Sequence, residues 1–322
     1  MSNQPATVPR YATITVTREP DPALWQRQLG GLGQAAIMVV VDNGSSAPIV
    51  ERLRQAVAQH SRALLLPLGQ NRGLAAGLNA GAAAALQRVP DCAYLVFLDQ
   101  DTEPGPAGTD RLVLAAERLR RDDPQAGLVG PLMVDGATGL SHGIHRVQHW
   151  RWARTFPGPA DIEAMRCASV NGSGMVVPAD LFRSLGGFDE SFFIDHVDTE
   201  YSFRASRAGY HLYTVPAVRF SHRMGERSIR YWLGGWRVWP YRPPARHYYL
   251  FRNAMILMKR PNVPLAWKLA APVKLLVTLL VHLVSDPARR AQLGAMLRGT
   301  CAGLRSRAAT AAGPGQPGAL RR

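Results

Sequence analysis

Three stretches of this sequence end an apolar run in carboxylates, and they are the places where chemistry can be sought first. In YLVFLDQDTEP, from Tyr94, a run of strand-forming residues stops at Asp99, Gln100 and Asp101. Two acids at i and i+2 where a strand opens into a loop can share a hard divalent cation and leave positions free for phosphate oxygens. The plainer reading is a solvated turn or a helix cap. In MVVVDNGSS, from Met38, the acid is Asp42; it can accept a ring N–H of a pyrimidine base or cap the helix that follows. The segment GGFDESFFIDHVDTEYSFRASRAGY, from Gly186, gathers Asp195, His196, Asp198 and Glu200 at a helix start. A carboxylate there can act as general base toward a hydroxyl, whereas dipole stabilisation accounts for one such acid but not for three. His222 follows a strand in VRFSH, where a neutral imidazole can complete a metal site, although a lone histidine more often has a structural role.

The elements that must position these residues follow from hydrophobic period. Between Tyr11 and Val134, short apolar strands (ATITVT, AAIMVVVD, ALLLPLG, AYLVFLD, AGLVGPLMV) alternate with helical stretches at about 24–32, 49–60, 74–86 and 112–121. That rhythm predicts an α/β fold with a mostly parallel sheet covered by helices on both faces, ligands gathering at the carboxyl ends of its strands. The glycine- and alanine-rich run NRGLAAGLNAGAAAA, with Asn71 and Gly73 at its head, either approaches a ligand closely or packs tightly on the sheet. No GxxxxGK phosphate loop is present, which argues against an ATPase or GTPase. Residues 136–166, rich in His, Arg and Trp, read as a long irregular loop able to serve as a lid. A second block follows, with a strand at SVNGSGMVVP, helices near 179–185 and 197–208, and strands near Tyr213 and Val218.

Charge divides the chain. Of 38 Lys+Arg and 23 Asp+Glu, residues 1–222 hold 20 and 21, while the rest hold 18 and 2. A basic C-terminal third points to anionic lipid head groups or to nucleic acid. Leu265 to Val284 is apolar but interrupted by Lys268, Pro272 and Lys274, so a helix lying in the membrane interface is expected rather than one crossing it. A helical hairpin covering the core is the alternative. The tail from Ser306 is expected to be disordered, and three scattered cysteines suit a reducing cytoplasm.

In their order and spacing, VVVDNGS, NRGLAAGLNAG, LVFLDQDTEP, VGPLM, GGFDESFFIDHVDTEYSFRASRAGY, VPAVRFSH and HYYLFRN resemble the inverting family 2 glycosyltransferases of the GT-A (Rossmann-like) fold. The likeness is greatest to bacterial rhamnosyltransferases of O-antigen and related polysaccharides, and it runs from about Thr13 to Arg260. It implies that Thr17 and Asp42 line the nucleotide pocket, with Asn71 and Gly73 near the base or ribose and Gln100 beside the donor. Asp99 and Asp101 match the family's DxD motif, which holds Mg²⁺ or Mn²⁺ against the diphosphate. VDTEYSFRA resembles a galactofuranosyltransferase motif in which the acid matching Asp198 is the base and a histidine matching His222 ligates the metal. Glu200 would then orient the acceptor or the base, and Asp195 and His196 stand in register with a Glu-Asp pair of other members. At the first strand, Arg18 and Glu19 replace the usual aromatic and amide.

The resemblance implies a catalytic domain over 10–225, with a nucleotide half (10–135) and an acceptor half (165–225). A basic helical, membrane-proximal extension over 226–305 and a disordered tail over 306–322 complete the expected organisation. The expected reaction moves L-rhamnose from dTDP-L-rhamnose to a polyprenyl-diphosphate-linked glycan on the cytoplasmic face of the plasma membrane, the enzyme held peripherally on an anionic surface. UDP-galactofuranose and UDP-glucose are the alternative donors. A basic nucleic-acid-binding protein is the remote alternative, disfavoured because it leaves the acidic strand ends unexplained.

Overall fold

The computed structural model describes residues 7–136, 138–222, 228–232 and 236–306. The first half alternates as read from the sequence: β1 (Tyr11–Thr17), α1 (Pro22–Gly30), β2 (Ile37–Asp42), α2 (Ala47–Ala58), β3 (Ala63–Pro67), α3 (Leu74–Arg88) and β4 (Tyr94–Asp99). A two-residue strand β5 (Thr102–Glu103), α4 (Gly108–Asp122) and β6 (Ala126–Asp135) follow. The second half comprises β7 (Ile144–Gln148), β8 (Arg151–Thr155), β9 (Met165–Arg166), β10 (Met175–Pro178), α5 (Ala179–Leu185), α6 (Val197–Arg207) and β11 (His211–His222). Then come β12 (Ser228–Trp232), β13 (Trp236–Pro240), α7 (Pro244–Lys259), α8 (Leu265–Ser285) and α9 (Arg289–Arg305).

The main sheet has the order β3-β2-β1-β4-β10-β6-β11-β5, with β9 added against β11. β1 to β4 are mutually parallel, as the alternating pattern predicts. The sheet is nevertheless mixed, because β10 inserts antiparallel between β4 and β6, and β5 and β9 run antiparallel to β11. One core layer lies under α3, α5, α6 and α7, and the other under α1, α2 and α4.

The small residues of α3 serve packing. A Cβ on Gly77 would lie 2.8 Å from Val16 Cγ1, and one on Gly81 would lie 2.5 Å from Ile14 Cγ2. The helix therefore sits almost in contact with β1, which fixes where its N-terminus meets the carboxyl edge of the sheet.

Several expectations are corrected. The segment 136–166 is not an irregular loop: it holds the β7–β8 hairpin, paired from Ile144↔Thr155 to Gln148↔Arg151, and ends in β9. Its two-residue turn needs a left-handed backbone, which His149 supplies at φ 55° without the usual Gly or Asn signal. His145 stacks on Trp152, which meets Phe203 of α6 edge-on, so the hairpin is docked. The two strands expected near Tyr213 and Val218 are one strand, β11, with a register shift between Val215 and Arg219. The extension after residue 225 begins with the β12–β13 hairpin before its helices. Gly299 and Gly303 lay α9 against α7, since a Cβ on either would fall within 2.5 Å of a carbonyl of α7. Helix α8 runs unbroken through Pro272 and, by length and composition alone, is long and apolar enough to cross a membrane. The tail expected to be disordered lies, beyond Ser306, outside the described residues.

Candidate active site

The chain turns sharply after β4, and β5 pairs back against the end of β11, setting His222 opposite Thr102. That pairing brings residues more than a hundred positions apart to one point. Nε2 of His222 lies 3.2 Å from Oδ1 of Asp101 and 3.7 Å from Oδ2 of Asp99. One ligand atom from each of the three falls within 4.8 Å of the others. Burial works against a charged His222 ring, yet the Asp101 and Asp99 carboxylates outweigh it and lift the pKa to about 10. The site thus draws positive charge, and its two oxygen donors and one imidazole suit a hard divalent cation.

The turn is held from beneath by residues that sequence reading missed. Gln28, fully buried, donates to the carbonyls of Asp99 (2.6 Å) and Thr102 (2.9 Å) and accepts from Thr15 Oγ1 (3.0 Å). Ser173 Oγ accepts the Asp99 N–H at 3.2 Å and contacts the Thr102 hydroxyl. The only local sign of Gln28's role is a polar residue on the buried stripe Leu24, Trp25, Leu29 of α1.

The loop carrying Ser173 also reaches the acid of α6. Gly172 N–H donates to Asp198 Oδ2 (3.0 Å), and Thr199 N–H donates to Oδ1 (2.7 Å). Burial raises the Asp198 pKa, the two backbone donors oppose it, and the nearby Asp99 adds to the rise. A carboxyl so poised is suited to take a proton.

The neighbouring acids are otherwise engaged. Asp195 is gripped by Arg246 through two 2.8 Å bonds, with Arg242 Nε at 3.9 Å. Burial would raise its pKa, but Arg246 holds it below the usual carboxylate range. Asp195 and His196 both have left-handed backbones, at φ 63° and 62°. Asn253, buried in α7, holds this kink by donating to the carbonyls of Phe192, Ile194 and Asp195 at 2.8–2.9 Å. Burial, with Lys274 nearby, pushes the His196 pKa down to about 4. Glu200, which the resemblance gives the role of orienting the acceptor or the base, is held by arginines. It is 1% exposed and bonds Arg204 and Arg260 at 2.9 Å and 2.7 Å, so it anchors α6 to the end of α7.

The residues that the resemblance assigns to the nucleotide sit on adjacent strand ends and the loops that follow them. Thr17, fully buried, donates to the Val41 carbonyl (3.3 Å), and Asp42 accepts the Gly44 and Ser45 N–H groups (3.3 Å). Asn43 Nδ2 donates to Asn71 Oδ1 at 3.2 Å, and that oxygen also receives the Gly73 N–H at 3.0 Å. Gly73, at φ 89°, is pressed against Phe193, where a Cβ would lie 2.6 Å from the ring. Gln100 accepts the Arg18 N–H (2.7 Å), and Glu19 accepts the Ser46 N–H (2.6 Å), so Glu19 ties the end of β1 to the start of α2.

A mixed sheet with polar loops at its carboxyl edge and an acidic pair after its fourth strand is the arrangement of the GT-A fold. Residues 34–174 match the profile of glycosyl transferase family 2. The chain is 26% identical over 232 residues to the dTDP-rhamnosyl transferase RfbF of Shigella flexneri, covering 72% of this chain and 74% of that one. It is 27% identical over 245 residues to an N-acetylglucosaminyl-diphospho-decaprenol L-rhamnosyltransferase of Mycobacterium tuberculosis, covering 67% and 77%. Among solved structures, the mannosyltransferase PcManGT of Pyrobaculum calidifontis, in complex with GDP-Man and Mn²⁺, superposes with a TM-score of 0.54 at 17% identity over 93% of this chain and 77% of that one. Residues 34–174 thus carry the likeness to glycosyl transferase family 2, and the chain is a glycosyltransferase similar to these bacterial rhamnosyltransferases.

Proposed function

We propose that the protein is an inverting rhamnosyltransferase that moves L-rhamnose from dTDP-L-rhamnose to a polyprenyl-diphosphate-linked glycan during cell-surface polysaccharide assembly. The observation that carries this reading is the convergence of Asp99, Asp101 and His222 in a cluster linked to Asp198 by the loop 171–174. The names of the relatives supply the donor and the lipid-linked acceptor by similarity.

Thr17, Asp42, Asn71, Gly73 and Gln100 frame the nucleotide, and Asp99, Asp101 and His222 hold Mg²⁺ or Mn²⁺. A cation held there supplies positive charge against the donor diphosphate, where charge grows as the glycosidic bond breaks. Asp198 takes the proton of the acceptor hydroxyl, which attacks the anomeric carbon from the face opposite the leaving nucleoside diphosphate, inverting that carbon. Gly172 and Thr199 keep the carboxylate aimed, while the Arg246–Asp195 pair fixes the loop in front of it.

On α8, Leu265, Leu269, Val273, Leu276, Leu280 and Val284 are 51–80% exposed and recur every three or four residues. Beside the start of this stripe, Trp150 at the tip of the β7–β8 hairpin is 65% exposed. This apolar face, in a basic third of the chain, fits peripheral attachment to an anionic cytoplasmic leaflet.

The test is a donor panel of dTDP-L-rhamnose, UDP-galactofuranose and UDP-glucose, following nucleoside diphosphate release with and without EDTA. Turnover of dTDP-L-rhamnose alone, abolished by EDTA and restored by Mn²⁺ or Mg²⁺, is the expected result. Preference for another donor, or full turnover in EDTA, would overturn it.

A further inference from the structure

Near Asp198, cationic side chains from three separate segments gather, where α8 packs on β8 and the approach to α7. Lys274 of α8 is within electrostatic reach of Arg154 of β8, of Arg242 just ahead of α7, and of Asp195 and Asp198. The acids do not balance them. Asp195 is already chelated by Arg246 and stands 3.9 Å from Arg242 Nε. Asp198 is occupied by backbone donors. Arg154 has a neutral partner, the ring of His145 at 3.4 Å. Among the described residues, Lys274 Nζ has no hydrogen-bond or ion-pair partner. Arg242 is partly buried, whereas Lys274 and Arg154 are exposed, so the group is open to a ligand from solvent.

Like charges gathered from three segments repel, and an anion lodged among them would relieve that repulsion. Burial, then Arg154 and Arg242, push the Lys274 pKa down to about 8. Burial with Arg154 and Lys274 likewise holds His145 neutral, its pKa lowered to about 4. The cationic neighbours add to the effect of burial in both cases. The helix that supplies Lys274 also bears the exposed apolar stripe, with Val273 adjacent in sequence. One helix therefore carries both a member of the cluster and the face fitted to lipid.

We propose that Lys274, Arg154 and Arg242 form an anion site for the phosphate or diphosphate group of a lipid-linked acceptor, seating it so that its sugar hydroxyl reaches Asp198. The inference rests on the glycosyltransferase reading of the same site and adds the chemical class that its acceptor end recognises. Arginine and lysine on separate elements suit a diphosphate, because each oxygen then receives a charged donor.

Binding of farnesyl diphosphate, measured by calorimetry in EDTA so that the cation-dependent diphosphate site is out of play, separates this claim from the donor assignment. The wild-type protein is expected to bind farnesyl diphosphate and not farnesol, and Lys274→Gln and Arg154→Gln are each expected to weaken binding at least ~10-fold. Inorganic pyrophosphate, as a parallel probe, tells a phosphate site from one that also needs the prenyl chain; binding lost in the same variants supports the site in either case. In transfer assays, the same variants should raise KM for a prenyl-diphosphate-linked sugar while leaving KM for its alkyl glycoside unchanged. Equal binding of farnesol, or undiminished diphosphate binding in both variants with their folding verified by melting, would overturn the proposal. Retained diphosphate binding by a protein that turns over no sugar donor would leave this site standing and remove the donor assignment alone.

Discussion

Replacing Asp198 tests the proposed chemistry most directly, and its size can be worked from the contacts. The carboxylate receives Gly172 N–H on one oxygen and Thr199 N–H on the other, at 3.0 Å and 2.7 Å. Asn keeps the volume but turns one acceptor into an NH₂ group that faces a backbone donor. That leaves an N–H unpaired, a cost of ~1–3 kcal/mol in stability. Both Asp198→Asn and Asp198→Ala remove the base, which is expected to lower turnover at least ~100-fold, about 2.7 kcal/mol in barrier height. The raised pKa of Asp198, from burial and from Asp99, strengthens it as a base and is the reason the loss should be this large. The assay pairs nucleoside diphosphate release with donor binding by calorimetry and a melting curve. Donor affinity should hold while turnover collapses. A variant that binds donor, stays folded and turns over near the wild-type rate would refute Asp198 as base and shift attention to Asp195.

Gln28→Leu should remove the support beneath the Asp99–Thr102 turn, leaving two carbonyls unpaired; a fall in stability of ~3 kcal/mol and weaker Mn²⁺ binding by calorimetry are expected, and unchanged metal affinity would contradict the role. Leu269→Gln with Leu276→Gln should cut co-sedimentation with phosphatidylglycerol vesicles at least ~10-fold, whereas undiminished sedimentation would remove α8 as the attachment face. Stability should also fall on mild acidification. Burial chiefly lowers the pKa of His247 to about 4, with His282 and Arg242 adding to the effect and the Gln292 hydrogen bond opposing it. The unfolded chain takes up a proton near pH 6.5 that the folded one refuses until about pH 4. The contribution is thus intact above about pH 6.5 and is lost between there and pH 4, on the order of 3 kcal/mol. Chemical denaturation at pH 7 and pH 5 measures it, and His247→Gln should flatten the dependence; an unaltered slope would contradict the assignment.

The members of the acidic cluster were legible because strand ends announce themselves. An apolar run that stops at Asp42, at Asp99 and Asp101, or at His222 marks the carboxyl edge of a sheet, and the order of such stops carries the family resemblance. What the sequence could not disclose is which acids are already spent. Asp195, Asp198 and Glu200 lie within six residues at one helix start; helix spacing alone offers Arg204 to the last, but only tertiary structure assigns Arg246 to the first and adds Arg260 to the last. The β7–β8 hairpin was hidden for a different reason: both its faces are polar or mixed, and its turn uses His149 where glycine would have signalled it. In the glycine-rich run, the tight-packing alternative describes Gly77 and Gly81, while Gly73 sits at the loop where a ligand is expected.

The pairing of β5 with β11 has a consequence for how the enzyme comes into being. A growing chain that has emerged only as far as residue 174, the end of the matched family region, carries the first strands and both acids of the aspartate pair but neither His222 nor Asp198. A chain of that length lacks one of the three residues of the acidic cluster and also the acid that the proposed mechanism needs. On that reading, sugar transfer cannot begin before the last strand of the sheet has been made and has paired with β5.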